Sequence, residues 1–520
     1  MKFIENTLNR KIGVASLIWG VSILLSRVVG IVREAVIGRT IGSEGDADVY
    51  WAAFVLPDFL NYLLAGGALS LVFIPIFSRY LSEGKEEEGW KAFGVISSFL
   101  VLALSGIVVL GWVFAPELVG LIAPGFDSEQ KTDLVRLTRI VLPAQIFHFQ
   151  GGLLSATLQA KDRHLLPALA PLVYTASIVG VGLLFWDTHG ADAFAWGVLV
   201  GSILGPFGLP LIGNLRAGMR WQPSLNLKNK DFRAYIWLSL PVMLGFSVVV
   251  VDDWMFKRFG SLHEGVVSQL QYAKTLMKVP MGVFGLATGV AAYPTLSRLM
   301  AKGKTVEAHD TLVRACRLML ILAFAAQAAL TCAGEQVATV IYGTDRFTPE
   351  TLSNIGLYTG ILCLALGAWS AQTVIARGFY AMQNTWMPTI VGSVIMVAAY
   401  PIYSWAGRTH GGLGLALVSS GAISLYVVVL GTLLRRKIAG PESPRISEVV
   451  LPMIAAVALG VAAGEGLEHV LPSMPVLING ALVGLTASGV CLSAAWMFRV
   501  KEVSEVAALI RGKLGSRRTT

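Results

Sequence analysis

Fourteen stretches of this chain are apolar for long enough to cross a hydrocarbon layer, and that property removes almost every soluble fold. A bilayer core needs about 17–25 apolar residues per helix, and the first six runs fall at 13–40, 49–78, 92–115, 135–159, 165–186 and 191–213. Six more lie at 233–256, 267–297, 312–333, 353–380, 387–405 and 412–434, with a last pair at 447–467 and 475–498. Without water to satisfy backbone amides inside a membrane, such runs must be helical. Only 14% of residues are charged, against about 25% in a soluble domain. The expectation is an all-α polytopic membrane protein of about 14 transmembrane helices.

The loops carry an independent signal. Lys and Arg gather on one side: Arg79, Lys85 and Lys91, then Lys161 and Arg163, then Arg216, Arg220, Lys228, Lys230 and Arg233. The same side continues with Arg298, Lys302 and Lys304, with Arg435, Arg436, Lys437 and Arg445, and with both tails. The opposite loops are acidic, as at Glu44, Asp46 and Asp48 or Asp127, Glu129 and Asp133. The positive-inside rule places both termini in the cytoplasm, which an even number of spans satisfies. It also accounts for the net charge of +9 without a nucleic-acid partner. The N-terminus lacks a cleavage pattern, so the first helix is expected to stay as an anchor. Four scattered cysteines, Cys316, Cys332, Cys363 and Cys491, have neither CxxC nor metal spacing and read as small core residues.

An internal repeat divides the chain. IPIFSRYLSEGK at 74–85 returns as YPTLSRLMAKGK at 293–304, and LQAKDRHLLP at 158–167 as FYAMQNTWMP at 379–388. The offsets pair odd-numbered spans with odd-numbered spans, so the two six-helix repeats are parallel, a plan that puts the substrate site between halves. The expected organisation is an N-terminal half at 1–222, a C-terminal half at 223–440, two further helices at 441–500 and a basic cytoplasmic tail at 501–520.

Ionisable residues sit inside the spans, and these are the candidate site. Arg27, Arg33 and Glu34 lie in the first span, and at 100° per residue Arg27, Gly30 and Glu34 share one face, with Arg33 beside it. A charge at membrane depth costs roughly 2.5–3.5 kcal/mol and by default faces a partner or a hydrated cavity. The repeat offset carries Arg33 onto Asp252 and Glu34 onto Asp253 in the seventh span; Lys257 and Arg258 follow, and Lys274 and Lys278 share one face of the eighth. Arg139 opens the fourth. Cations outnumber acids, which suits an anion, above all a phosphate or diphosphate. The plainer reading is packing ion pairs, and for Lys257, Arg258 and Arg139 interfacial snorkelling. Asp252 and Asp253 suit either pairing with these cations or a coupling Na⁺ or H⁺. His148, alone in the fourth span, suits a proton relay or simple packing. Walker A, HExxH and GxSxG patterns are absent, so the chain is not read as an enzyme, and no cofactor or metal is assigned.

SRVVGIVREAVIG (26–38), DADVYWAAFVLP (46–57) and AGGALSLVFIPIFSRY (65–80) are similar to the opening of the MurJ/MviN family. YAKTLMKVPMGVFGLA (272–287), YPTLSR (293–298), YGTDRFTPE (342–350) and RGFYAMQNTWMPT (377–389) continue the resemblance through most of the first twelve spans. It implies the MATE-like fold of the MOP exporter superfamily and flipping of lipid II, the undecaprenyl-pyrophosphate-linked peptidoglycan precursor, across the bacterial inner membrane. A cationic cavity and a tail groove lined by the last two helices are further implications. Arg27 and Arg33 match the family's two first-helix arginines, Glu34 stands at an acidic position and Asp48 matches the acid before the second helix. Two cavity arginines are replaced: one position falls at Asn61, with Gly66 where an acid follows, and the other at Thr275. Lys274 stands where an aspartate is usual, and with Lys278 it restores positive charge. The substrate-binding set expected is therefore Arg27, Arg33, Glu34, Asp48, Asn61, Lys274, Thr275 and Lys278, with Asp252 and Asp253 for coupling or gating. Coupling to Na⁺, H⁺ or the membrane potential is open, and partners beyond lipid would belong to cell-wall synthesis. The changed cavity admits a flippase for another undecaprenyl-linked glycan. A cation-coupled multidrug exporter would prefer an acidic or aromatic cavity, and a scaffold would not need buried charges.

Overall fold

The computed structural model describes residues 25–26, 28–65, 73–243, 248–472 and 474–504, and all regular secondary structure among them is helical. The first helix, α1, covers 28–41. It is followed by α2 (Asp46–Ala52), α3 (Val55–Ala65), α4 (Ile74–Ser82), α5 (Glu86–Val113), α6 (Ala115–Ile122), α7 (Ser128–Val141) and α8 (Ala144–Ala160). Then come α9 (Leu165–His189), α10 (Ala191–Ser202), α11 (Leu209–Arg216), α12 (Lys230–Met243), α13 (Val248–Gly260), α14 (Val266–Met281) and α15 (Ala287–Ala301). The remainder are α16 (Thr305–Cys332), α17 (Gly334–Tyr342), α18 (Pro349–Cys363), α19 (Leu366–Ala381), α20 (Trp386–Ile438), α21 (Ser447–Val470) and α22 (Val476–Met497).

Seven described helices, one of them α10 and α11 joined through Ile203–Gly208, are long and apolar enough to cross a membrane, or eight if α18 and α19, bent by 45°, form one broken span. The longest, α20, has 53 residues, about 80 Å at 1.5 Å per residue and far beyond one bilayer. It breaks at Gly411, where φ is 54° and ψ −136°, and so supplies the two spans expected at 387–405 and 412–434. The span expected at 135–159 is α7 and α8, parted at Pro143, whose missing N–H cannot continue the ladder. The described parts of the span expected at 49–78 are α2, α3 and α4 and of that at 233–256 are α12 and α13, while that at 267–297 is α14 and α15 joined through a wider helical turn at Gly282–Leu286.

The repeat is legible in the backbone. Gly84 and Gly303, 219 residues apart, both take positive φ, 69° and 71°. The turns close alike: the Lys85 N–H donates to Tyr80 O at 2.9 Å and the Lys304 N–H to Leu299 O at 3.0 Å. At an offset of 221, Asp162 and Gln383 share φ of 57°, and Gly190 repeats as Gly411 with φ of 52° and 54°. Helix starts correspond too. Asp127 accepts the Gln130 N–H at the head of α7, and Thr348 accepts the Thr351 N–H at the head of α18, each an N-cap satisfying a backbone donor the helix leaves open.

The chain packs as two compact units, Met1–Val267 and Ser268–Thr520. The packing boundary falls one span later than the repeat boundary expected at 222/223, so α12 and α13 belong with the first unit. Polar ties explain this: Asp231 at the start of α12 accepts from Arg79 Nη2 at 2.6 Å and from the Tyr80 hydroxyl at 2.7 Å. The first unit's core is aromatic, with Phe73, Phe77, Trp90, Phe93, Phe149 and Tyr235 buried together and Trp90 edge-on to both Phe77 and Phe93.

Candidate functional site

In the first unit the site begins on α1. Arg33 Nη2 lies 2.5 Å from Glu34 Oε1; Glu34 is buried, and its Oε2 has no hydrogen-bond partner among the described residues. Tyr50 and Tyr174 lie within electrostatic reach of Arg33, and Tyr174 also senses Glu34 and Asp58. A Cβ added at Gly30 would meet nothing within 4 Å, so the helix face read as open in the sequence has room beside it. Arg27 lies outside the described residues. Asn61 is exposed on α3.

Asp48 is placed differently from a ligand-facing acid. It is fully buried in the first turn of α2, and its Oδ2 accepts the Gly265 N–H at 2.7 Å, tying the turn before α14 to the first unit. Asp252 is buried on α13 and Asp253 half-buried. Two cations named in the sequence are held by local partners: Arg258 donates to the Leu121 carbonyl, and Arg139 donates through Nε to the Trp112 carbonyl at 3.0 Å while lying 4.4 Å from that ring's centroid. His148 Nδ1 is 3.0 Å from Ala144 O, and its ring packs edge-on against Tyr174 at 5.1 Å.

The second unit holds Lys274, Thr275 and Lys278 on α14. Lys274 is 1% exposed, and its Nζ stands 5.1 Å from the centroid of Trp369 on α19, an attraction worth up to about 2 kcal/mol when desolvated. Thr275 is buried and Lys278 half-buried.

A groove of about 1020 Å³ runs through the same unit between α16, α19, α20 and α21. Its walls are apolar, with Val313, Leu320, Phe324, Ile375, Val428 and Val457 among them. Arg435, Arg445 and His309 border the end near the α20–α21 turn, and Glu465 borders the other. The resemblance implied a groove lined by both final helices; here α21 supplies a wall, and no residue of α22 borders it. The shorter wall follows from packing: α22 lies against α21, α16 and α17, and its Ser488 hydroxyl donates to Ala325 O at 2.9 Å.

Two arginines of the second unit went unnoticed in the sequence. Arg317, within α16, is bonded to Glu448 and, at 2.9 Å, to Glu502. Arg377, near the end of α19, has a buried Nη1 with no hydrogen-bond partner among the described residues. The signal for Arg377 was its asymmetry: its repeat counterpart, 221 residues earlier, is Ala156.

Comparison with known proteins places this architecture. The family model for the lipid II flippase MurJ matches residues 37–478. A probable lipid II flippase MurJ of Rhizobium tropici is 28% identical over 79% of both chains, and one of Rhizobium meliloti strain 1021 is 26% identical over 92% of both. Among solved structures, a lipid II flippase MurJ in an inward closed conformation superposes with a TM-score of 0.75 at 20% identity, covering 93% of this chain and 99% of that one. An inward-facing MATE multidrug transporter of the MOP superfamily gives 0.63 at 10% identity, over 79% of this chain and 94% of that one, so the fold is MATE-like. With the family model spanning well over half of its length, the chain belongs to the lipid II flippase MurJ family.

Proposed function

We propose that this protein moves lipid II, an undecaprenyl-diphosphate-linked peptidoglycan precursor, from the cytoplasmic to the outer leaflet of a bacterial inner membrane by alternating access. The observation that carries the reading is the groove of about 1020 Å³ in the second unit. It is apolar along its length, cationic at one end and acidic at the other, which fits a long lipid tail attached to an anionic head. A diphosphate cannot enter hydrocarbon without replacing its water by donors, and Arg27, Arg33, Lys274 and Lys278 are the cations proposed to meet it. The glycan and peptide need only a hydrated chamber, and the tail never has to leave an apolar surface. An inside-negative potential, worth about 2.3 kcal/mol per charge per 100 mV, favours outward movement of the anion; a coupling Na⁺ or H⁺ at Asp252 or Asp253 is the alternative drive. The cation-rich loops support cytoplasmic termini.

Asn61 and Thr275, at positions where the family resemblance places arginines, favour one second reading, a flippase for another undecaprenyl-linked glycan. Complementation of a conditional lipid II flippase depletion strain separates the two, scored by outer-leaflet accessibility of lipid II. Rescue by wild type and its loss in well-expressed Arg33→Ala and Arg27→Ala variants is expected. Failure of a well-expressed wild type would move the assignment to another glycan.

A further inference from the structure

We propose that a pocket between the end of α5, α6, α7 and α10 binds the phosphodiester head group of a monoanionic phospholipid, with Arg139 as its principal donor. The pocket lies within the first unit and does not rest on the transport reading. It encloses about 820 Å³, and Trp112, Lys131, Arg136, Arg139, Asp192 and Trp196 are among the residues around it. Trp112 stands one residue before the end of α5 at Val113, about 39 Å along the helix from Glu86. Glu86 pairs with Lys161 of a cation-rich loop, so the pocket lies at the opposite end of this span.

An arginine near the end of a span commonly snorkels, its guanidinium free to follow water. Arg139 is held instead. Its Nε donates to the Trp112 carbonyl at 3.0 Å, and its guanidinium lies 4.4 Å from the centre of the Trp112 ring. One edge and one face of the group are thereby taken, and the terminal amino groups remain for a ligand at the pocket wall, where Arg139 is half-buried. Among the described residues no carboxylate pairs with Arg139. Arg136 differs, because it bridges Asp133 and Asp192, each at 2.8 Å. Lys131 donates to the Pro124 carbonyl at 3.2 Å, which uses one of an ammonium's three donors. Three cations against two acids leave one positive charge, the complement of a phosphodiester; a diphosphate would be short of cations. A guanidinium already fixed in place meets phosphate oxygens through two parallel bonds and gives up little freedom in doing so. The walls suit the rest of a lipid. Trp112 and Trp196 are 47% and 46% exposed, and indole rings at the end of a span settle at head-group level. Leu199, one turn farther along α10 than Trp196, begins an apolar wall for an acyl chain.

The test uses the full chain in a neutral detergent, titrated with phosphatidylglycerol, phosphatidylcholine or inorganic phosphate. Wild type is expected to prefer phosphatidylglycerol to phosphatidylcholine roughly tenfold and to leave inorganic phosphate unbound at the same concentration. Arg139→Met is expected to weaken phosphatidylglycerol roughly tenfold, Arg139→Lys and Lys131→Met by less, and Arg436→Met, a loss of exposed charge on α20, not at all. The rise in Tm that phosphatidylglycerol gives wild type shrinks in the same order. Equal affinity for the two lipids would mean that the pocket takes acyl chains without reading charge, and overturns the proposal. Binding of inorganic phosphate with the same dependence on Arg139 removes the lipid and overturns it too, as does unchanged phosphatidylglycerol affinity in Arg139→Met. Should Arg139→Met fail to fold, Lys131→Met and Trp196→Leu decide. Weaker phosphatidylglycerol binding in both supports the site, and wild-type affinity in either overturns it.

Discussion

Arg33 and Glu34 are consecutive on a helix, an awkward arrangement for an ion pair, because neighbours at i and i+1 do not face one another. The bond of 2.5 Å between them requires the arginine to bend back along α1, which gives up the wider reach an extended guanidinium would have. Glu34 Oε2 is meanwhile buried and without a hydrogen-bond partner among the described residues. Removing the cation alone takes from a buried carboxylate its bonded cation, a loss of about 3–5 kcal/mol for a fully buried pair and less here, where Arg33 keeps partial exposure. Arg33→Ala is therefore expected to lower the Tm in detergent more than the double variant Arg33→Ala/Glu34→Ala. Equal Tm values for the two would show that the pair contributes nothing to stability. Arg33 was legible in the sequence because a charge interrupting an apolar run is conspicuous. Asp48 was legible as a special acid, but its bond from the Gly265 N–H was not, since that partner lies 217 residues away and no local pattern reports it. Arg377 was quoted within RGFYAMQNTWMPT but given no role, because the approach of Gly289 on another helix leaves no local pattern.

Helix breaks are the element-scale counterpart of those charges. The repeat was visible as two loop motifs, and the structure extends it to Gly190 and Gly411, whose φ/ψ of 52°/−134° and 54°/−136° lie where residues with a side chain are strained. A Cβ at Gly190 would meet nothing within 4 Å, so the cost of Gly190→Ala is conformational alone, roughly 1–3 kcal/mol. Gly411→Ala should cost a similar amount, and thermal unfolding of the two variants side by side checks it; a large loss in one alone would mean the two breaks are not equivalent. The gaps between expected spans placed these breaks at 187–190 and 406–411 but not on a particular residue, because glycine is frequent throughout, 55 residues in all. Arg317 illustrates a second kind of hidden element. It joins α16 to α21 through Glu448 and to the segment after α22 through Glu502, and its Nη2 also donates to Arg445 O at 2.7 Å. Arg317→Leu strands the buried Glu502, so residues 500–504 should loosen and limited trypsin cleavage after Lys501 should quicken several-fold. An unchanged cleavage rate would show that α22 alone holds that segment.

At the scale of the molecule, the two ways of dividing the chain disagree, and the disagreement is physical. Repeats record duplicated sequence, whereas packing follows contacts, and Asp231, bonded to Arg79 and Tyr80, holds α12 to the first unit despite its place in the second repeat. The all-helical, membrane-spanning class was legible because apolar runs of bilayer length must be helical. A tail groove was implied by the resemblance, but its walls were not legible, because they come from four helices whose lining residues run from His309 to Glu465 and only folding brings them together. Its width is set in part by Gly431 on α20, which borders it; a Cβ there would touch only Ile375 Cδ1, at 3.7 Å. A larger side chain at 431 can therefore occupy groove space without forcing the backbone, unlike most substitutions in a packed interior. Gly431→Phe is expected to keep its Tm within a few degrees of wild type while weakening full-length undecaprenyl substrates about tenfold, and to leave an analogue with a short prenyl chain unaffected. Affinity for both analogues measured in nanodiscs separates the possibilities. Equal weakening of long- and short-chain analogues would place the effect at the head group, and no weakening of either would mean that the tail runs along the lipid bilayer and not through this groove.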